Sequence, residues 1–109
     1  MAETSGSGAI AIVGAGSIGV GWAIVFATAG HPVRLQDPAA DRLRAASAEI
    51  AARVEDLHAS GLCAKRPADV LARITEGCEL RQALEGCGYI QECAPEHLEL
   101  KRLLFAELD

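Results

Sequence analysis

The sequence predicts an α/β fold in which short strands alternate with helices. Two observations carry this prediction. Short segments of apolar or alternating residues, typical of strands, are followed by longer segments with helical periodicity, and glycine or proline separates most of them. Because such an alternation produces a parallel sheet with right-handed crossovers, we expect a doubly wound sheet with about four strands in these 109 residues.

The stretch from Ala9 to Gly30 contains no charged residue, and it has two incompatible interpretations. An uncharged run of about 18 or more apolar residues is typical of a transmembrane helix. Glycines interrupt this run, and each costs a continuous helix about 0.8–1 kcal/mol relative to alanine. We therefore expect a strand over Ala9–Val13, a turn and a helix over Ser17–Ala29, and a membrane anchor is the minor alternative. The interrupting glycines are Gly14, Gly16, Gly19 and Gly21.

The turn between this strand and this helix reads G-A-G-S-I-G, the G-x-G-x-x-G pattern of Rossmann-type dinucleotide-binding domains. Each glycine has a geometric role: Gly14 allows the tight turn, Gly16 lets a pyrophosphate approach the backbone, and Gly19 lets the helix pack closely on the strand. The helix start, with Ser17 and Ile18, offers free N–H groups to the phosphates. The pattern therefore predicts a phosphate-binding turn.

A lone glycine pattern is a weak signal, so the prediction depends on Asp37. Gly30 ends the helix, and Val33–Asp37 alternates like a second strand that ends on this carboxylate. Asp37 lies 18 positions after Gly19, close to the spacing of about 20 at which an acidic residue binds the adenosine ribose. Its charge would repel a 2′-phosphate, so the sequence predicts NAD rather than NADP. The alternative is a solvated turn residue before a proline.

Helical periodicity predicts which side of the first two helices faces the sheet. In the first helix it makes Trp22 a core residue rather than a ligand contact. The second helix, expected over residues 39–60, has an apolar stripe and a charged, solvated opposite face, and Gly61 ends it. The predicted stripes are Ile18, Trp22, Val25, Phe26 and Ala29 in the first helix, and Leu43, Ala46, Ile50, Val54 and Leu57 in the second.

Shorter elements complete the expected order β-α-β-α-α-β-α-β-α. Proline suits the first turn of a helix, and β-forming residues predict the remaining strands. Residues 1–8, rich in glycine and serine, are expected to be a disordered tail. The later elements are expected as a helix over 67–73, a strand over 74–75, a helix over 79–85, a strand over 89–93 and a helix from residue 95.

The composition excludes several classes of function. A net charge of −5, from 10 basic and 15 acidic residues, offers no basic patch for nucleic acid or an anionic membrane. The first residues have neither the basic region nor the apolar core of a signal peptide. No C-x-x-C pair indicates a metal or redox site, so we expect a cytoplasmic protein whose cysteines are reduced, small and buried. The cysteines are Cys63, Cys78, Cys87 and Cys93.

Three segments of the chain resemble one known family. They are V-G-A-G-S-I-G-V-G-W-A, the strand end L-Q-D, and residues 89–109, Y-I-Q-E-C-A-P-E-H-L-E-L-K-R-L-L-F-A-E-L-D. They resemble the NAD-binding domain of the 3-hydroxyacyl-CoA dehydrogenase family, and most closely its lambda-crystallin and L-gulonate 3-dehydrogenase branch. The resemblance implies NAD-linked oxidation of a 3-hydroxyl to a 3-keto group, on a 3-hydroxyacyl-CoA or a small 3-hydroxy acid. It also implies that Glu96 and Lys101 contact the nicotinamide-side ribose.

The family's catalytic histidine and glutamate have no match in this sequence, because His31, His58 and His97 stand at other positions. We therefore name no catalytic residue and expect residues 9–109 to form a partial NAD-binding domain that is inactive alone. We expect a homo-oligomer in the full-length form. The alternative is a stand-alone module that binds NAD or an adenine nucleotide without catalysis.

Overall fold

The structure is a computed structural model that describes residues 8–93. The helix expected from residue 95 lies outside this range, as does nearly all of the expected tail. Within the described range, strands and helices alternate in the predicted order. The elements are β1 (Ile10–Val13), α1 (Ser17–Thr28), β2 (Val33–Gln36), α2 (Ala40–Ala59), α3 (Pro67–Leu71), β3 (Ile74–Gly77), α4 (Leu80–Leu84) and β4 (Tyr89–Glu92).

The four strands form one parallel sheet in the order β3-β2-β1-β4. Strand β1 lies between β2 and β4 and is buried along its whole length. Its last residue, Val13, pairs with Gln36 on one side and Glu92 on the other. The strand order reverses around β1, and ligands of such sheets bind beyond the carboxyl ends of the strands at this switch point. The predicted α/β, doubly wound fold is therefore confirmed.

Helix α1 faces the sheet with a different side from the predicted one. Ile18, Trp22 and Val25 are 67%, 39% and 53% exposed, so the expectation that Trp22 lies in the core is wrong. Its ring stacks on that of Phe26, with the centroids 5.6 Å apart. Because α1 has no charged side, periodicity offers no contrast that could identify the inner face, which combines small residues with Val20 and Ile24. The buried residues of α1 are Gly19, Val20, Ala23, Ile24 and Ala27.

Helix α2 packs as predicted. Four residues of its predicted stripe are buried and the fifth, Leu57, is half-buried. The helix is followed by Gly61, whose φ of +80° is a conformation that favours glycine after the end of a helix. The amide of Leu62 then donates to the carbonyl of Leu57 at 2.9 Å, which closes the last turn. The buried stripe residues are Leu43, Ala46, Ile50 and Val54.

The uncharged stretch from Ala9 to Gly30 is a strand, a turn and a helix rather than one continuous helix. Over residues 8–93, the structure contains no helix with the length and apolar character needed to cross a membrane. The interpretation of this stretch as a membrane-spanning helix is therefore wrong.

The cysteines are less buried than predicted. Cys78 is exposed, and the other three are half-buried. Burial raises the pKa of the Cys87 thiol. It also raises the pKa of Cys93, where the charge of Glu92 acts in the same direction. The expectation of small buried side chains is thus wrong for Cys78.

Candidate functional site

The glycine turn begins at the carboxyl end of the central strand. Gly14 has a φ of +108°, a backbone conformation that glycine adopts without steric cost. Its N–H donates to the carbonyl of Gln36 at 2.7 Å, which ties the start of the turn to β2. The tight turn predicted at Gly14 is therefore present.

Gly19 allows α1 to begin directly against this turn. A Cβ atom at Gly19 would lie 1.8 Å from the carbonyl oxygen of Gly14 and 3.5 Å from Cγ2 of Ile12. Since the first of these neighbours is backbone, no rotamer change could relieve the overlap. Close packing of α1 on β1 thus depends on the absence of a side chain at position 19, as the sequence pattern predicts.

Gly16 faces open space. A Cβ atom built at Gly16 would meet no atom of the described residues within 4 Å. Gly16, Ser17 and Ile18 are all exposed. Gly16 is the N-cap of α1, and its backbone is extended. With respect to the described residues, the second glycine of the pattern therefore leaves room for a ligand.

The N-terminus of α1 is chemically suited to an anion. Its first internal hydrogen bond runs from the N–H of Val20 to the carbonyl of Gly16, at 2.9 Å. The preceding N–H groups have no partner within the helix. In the described part of the chain, no side chain caps this end, and the first turn has no acidic residue. A diphosphate would meet free donors and the positive end of the helix dipole here.

Asp37 is buried, with only 3% of the residue exposed. Its Oδ2 accepts the N–H of Ala15 at 3.0 Å, and its Oδ1 accepts the N–H of Ala39 at 2.9 Å. The alternative of a solvated turn residue is therefore wrong. This carboxylate joins the end of β2 to the glycine turn and to the start of α2.

Asp37 still has acceptor capacity for a ligand. An ionised carboxylate offers about four lone-pair sites, and the two backbone N–H groups occupy two of them. The remaining sites could accept ribose hydroxyls at the carboxyl edge of the sheet. Asp37 can thus hold the turn and a ribose at the same time.

The other predicted site residues divide into two groups. Glu96, Lys101 and His97 lie outside the described residues. His31 precedes β2 and packs edge-on against Phe26, with the ring centroids 6.1 Å apart. The His58 ring lies at the end of α2, with its Nδ1 3.1 Å from the carbonyl oxygen of Cys63. The glycine turn lies near the end of β2 and the start of α2, whereas His31 lies before β2 and His58 near the end of α2.

Sequence reasoning missed Gln36, the last residue of β2. It is 2% exposed, and its Nε2 donates to the carbonyl of Cys78 at 2.9 Å. Among residues 8–93, its buried Oε1 has no hydrogen-bond partner. A buried acceptor without a partner is costly, so Gln36 is an unusual residue beside Asp37. The sequence feature that could have identified Gln36 is a polar residue within a strand that is otherwise expected to be buried.

Sequence reasoning also missed Arg42, which lies in the first turn of α2. Its Nη1 is 3.6 Å from Oδ2 of Asp37, and its side chain is 61% exposed. This arginine brings a positive charge to the edge of the candidate ribose site. The sequence alone placed it on a charged, solvated helix face.

These features together define a class of protein. A parallel sheet that reverses its order at β1, a glycine turn at an uncapped helix N-terminus, and a buried carboxylate at the end of β2 define a Rossmann-type dinucleotide-binding domain. Residues 9–109 match the model of the family described as 3-hydroxyacyl-CoA dehydrogenase, NAD binding domain. The chain therefore belongs to the 3-hydroxyacyl-CoA dehydrogenase family and carries its NAD-binding domain, which confirms the resemblance and the predicted cofactor.

Individual relatives agree with this assignment. The chain is 42% identical to the lambda-crystallin homolog of Bos taurus over 108 residues, which are 97% of this chain and 34% of that protein. It is 40% identical to the L-carnitine dehydrogenase of Streptomyces griseus over 100 residues, 92% of this chain and 29% of that protein. The chain thus spans about one third of the length of these relatives.

A solved structure has the same fold. The 3-hydroxybutyryl-CoA dehydrogenase of Escherichia coli K12 superposes with a TM-score of 0.76 at 32% identity, over 99% of this chain and 22% of that one. The family match and the structural similarity therefore agree on both the fold and the family.

Proposed function

We propose that this chain supplies the cofactor-binding part of an oxidoreductase that oxidises a 3-hydroxyl to a 3-keto group. When bound, NAD supplies the hydride acceptor for this oxidation. The observation that carries the proposal is the open glycine turn held in place by Asp37. Among residues 8–93, nothing fills the space beside Gly16 in front of the N-terminus of α1, and the carboxylate of Asp37 accepts the N–H of Ala15 inside the same turn.

Different residues of the chain bind different parts of the dinucleotide. The N–H groups of the turn and of the first residues of α1, Ser17, Ile18 and Gly19, bind the diphosphate. The carboxylate of Asp37 accepts hydrogen bonds from the adenosine ribose. On the resemblance to the family, Glu96 and Lys101 contact the nicotinamide-side ribose.

Asp37 also supports the choice of NAD over NADP. A buried carboxylate repels a 2′-phosphate more strongly than an exposed one, because solvent screens it less. The ribose hydroxyls of NAD, in contrast, donate hydrogen bonds to the same oxygen atoms. We therefore expect NAD to bind more tightly than NADP.

The substrate class is a 3-hydroxyacyl-CoA or a small 3-hydroxy acid, and the charges on α2 favour the acid. Arg44 pairs with Asp41, and Arg53 lies 2.9 Å from Glu49. Arginines paired in this way leave little net positive charge to attract the phosphates of CoA. A cytoplasmic location and a homo-oligomeric full-length protein belong to the same proposal.

Calorimetric titration of NAD and NADP into the purified protein tests the cofactor part. We expect saturable NAD binding and NADP binding that is weaker by about tenfold or more, the effect of roughly 1.4 kcal/mol. Equal affinities would contradict the role of Asp37, and no NAD binding would contradict the proposal as a whole.

The stand-alone binding module is the second candidate function, because the part of the candidate site that lies among the described residues, the glycine turn with Asp37 and Arg42, is contained within residues 14–42. Activity assays on the natural polypeptide that contains this sequence separate the two candidates. NADH formation with L-3-hydroxybutyryl-CoA, L-gulonate or L-carnitine supports the oxidoreductase. NAD binding without turnover of any 3-hydroxy substrate supports the module.

A further inference from the structure

We propose that Arg42 is a second determinant of cofactor choice, which acts against Asp37 and limits how strongly the site rejects a 2′-phosphate. This inference rests on the proposed function, because it requires Asp37 to lie beside the adenosine ribose. It adds a role for a residue that the glycine pattern and its acidic residue do not include.

Arg42 lies close to the carboxylate of Asp37. Its Nη1 lies 3.6 Å from Oδ2 of Asp37, which is too far for a hydrogen bond but close enough for a charge interaction. The two groups differ in exposure, with 61% of the Arg42 side chain exposed and 4% of that of Asp37. Arg42 therefore places a solvent-exposed positive charge beside the carboxylate that is proposed to bind the ribose.

Among the described residues, no partner occupies the N–H donors of the Arg42 side chain. A guanidinium has five N–H donors in a planar fork, and within residues 8–93 that of Arg42 donates no hydrogen bond. A phosphate oxygen pair is a geometrically matched partner for such a fork. A phosphate on the ribose hydroxyl next to Asp37 would come within direct reach of this group.

Neighbouring arginines on the same helix are arranged differently. Arg44 pairs with Asp41, an exposed carboxylate in the same turn. Arg53 pairs with Glu49 one turn away. Arg42 differs because its acidic partner is the buried residue of the candidate site. This contrast makes Arg44 a matched control, since its replacement removes the same charge two positions away.

The repulsion of a 2′-phosphate by Asp37 and its attraction by Arg42 differ in strength. Asp37 is buried and rigidly held by two backbone N–H groups, so its repulsion of a phosphate is poorly screened. Arg42 is exposed, so solvent and salt weaken its attraction. Asp37 therefore dominates and NAD is preferred, whereas Arg42 reduces the size of that preference.

The test compares the dissociation constants of NAD and NADP in the parent protein, in Arg42→Gln and in Arg44→Gln. Glutamine keeps much of the side-chain length and polarity but removes the charge. In Arg42→Gln we expect NADP to bind about five- to tenfold more weakly, while NAD changes by less than about twofold. In Arg44→Gln the ratio of the two constants should equal that of the parent.

A second pair of variants isolates the attraction between Arg42 and the 2′-phosphate of NADP. Asp37→Ser removes the repelling charge and keeps a hydroxyl that can accept one backbone N–H. It should shift the preference toward NADP by about tenfold or more. Adding Arg42→Gln to Asp37→Ser should remove most of this shift. Thermal unfolding of each variant, which does not depend on ligand, establishes that the domain is folded.

The outcomes are distinguishable. Equal weakening of NAD and NADP in Arg42→Gln, or no change in either, overturns the role of Arg42 while the proposed function stands. A parent protein that binds neither dinucleotide overturns the proposed function and this inference together. A shift of the ratio in both Arg42→Gln and Arg44→Gln also overturns it, because the effect would then be one of general charge.

Discussion

The two halves of the candidate nucleotide site are built in opposite ways. The phosphate half is backbone, and a Cβ atom at Gly16 would meet no atom of the described residues within 4 Å. The ribose half is one carboxylate, 3% exposed, whose oxygens already accept the N–H groups of Ala15 and Ala39. One half is open space and the other is part of the internal hydrogen bonding of the domain.

This difference determines what a substitution can change. At Gly16 a side chain would alter only the space in front of the helix, so binding should change and stability should not. At Asp37 a substitution removes a bond to the turn as well as a ligand contact, so both should change. At Gly19 the added atom would overlap the turn itself. Substitutions at these three positions therefore test the comparison directly.

The largest effect is expected for Gly19→Ala. Its Cβ atom would lie 1.8 Å from the carbonyl oxygen of Gly14, so α1 must move away from β1. We expect a loss of about 3 kcal/mol or more in the free energy of unfolding, together with the loss of NAD binding. Urea denaturation measures the first quantity and titration the second.

Gly21→Ala is the matched control, because it makes the same change in the same helix. A Cβ atom at Gly21 meets nothing within 4 Å among the described residues. This variant should be as stable as the parent or more stable, by about 0.5–1 kcal/mol. Similar unfolding curves for the two variants would show that α1 does not pack as described.

Asp37→Asn is expected to have a smaller effect than Gly19→Ala on both the unfolding free energy and NAD binding. An asparagine has one acceptor oxygen, so it can satisfy Ala15 or Ala39 but not both, and its NH2 group faces the other donor. We expect the unfolding free energy to fall by about 1–3 kcal/mol and NAD binding to weaken about tenfold or more. Urea denaturation and NAD titration measure the two effects.

Asp41→Asn is the control for this change. Asp41 is exposed and pairs with Arg44 at the surface. Its replacement should alter stability by less than about 0.5 kcal/mol and leave NAD binding as it is. If Asp37→Asn behaved like Asp41→Asn, the carboxylate of Asp37 would have no part in the turn or in ribose binding.

Much of the fold could be predicted where the sequence contrasts apolar with polar residues. Helix α2 carries such a contrast, and its inner face was predicted correctly. Helix α1 does not, and Ile18 and Trp22 were assigned to the wrong side. Alternation with helices was enough to predict a parallel sheet, because the handedness of crossovers leaves few arrangements.

The candidate site was predictable where it depends on local backbone geometry. The roles of Gly14 and Gly19 follow from the turn that their spacing requires. The hydrogen bond between Ala15 and Asp37 could not be predicted, because it joins residues 22 positions apart through tertiary packing, whereas the bond from Ala39 is local. Arg42 was missed for a different reason: it is close to Asp37 in sequence, but a helical arginine is usually solvated, and the sequence does not show how the chain turns between β2 and α2.

The most direct test of the account is the titration of NAD into Gly16→Ala. The backbone at Gly16 has a φ of −77° and a ψ of −170°, which alanine adopts easily, so the unfolding free energy should stay within about 1 kcal/mol of the parent. If the diphosphate lies against this turn, the methyl group occupies its space, and NAD should bind about tenfold or more weakly while Gly21→Ala binds normally. Parent-like NAD affinity in a folded Gly16→Ala protein would contradict the central claim, because the phosphates would then bind elsewhere.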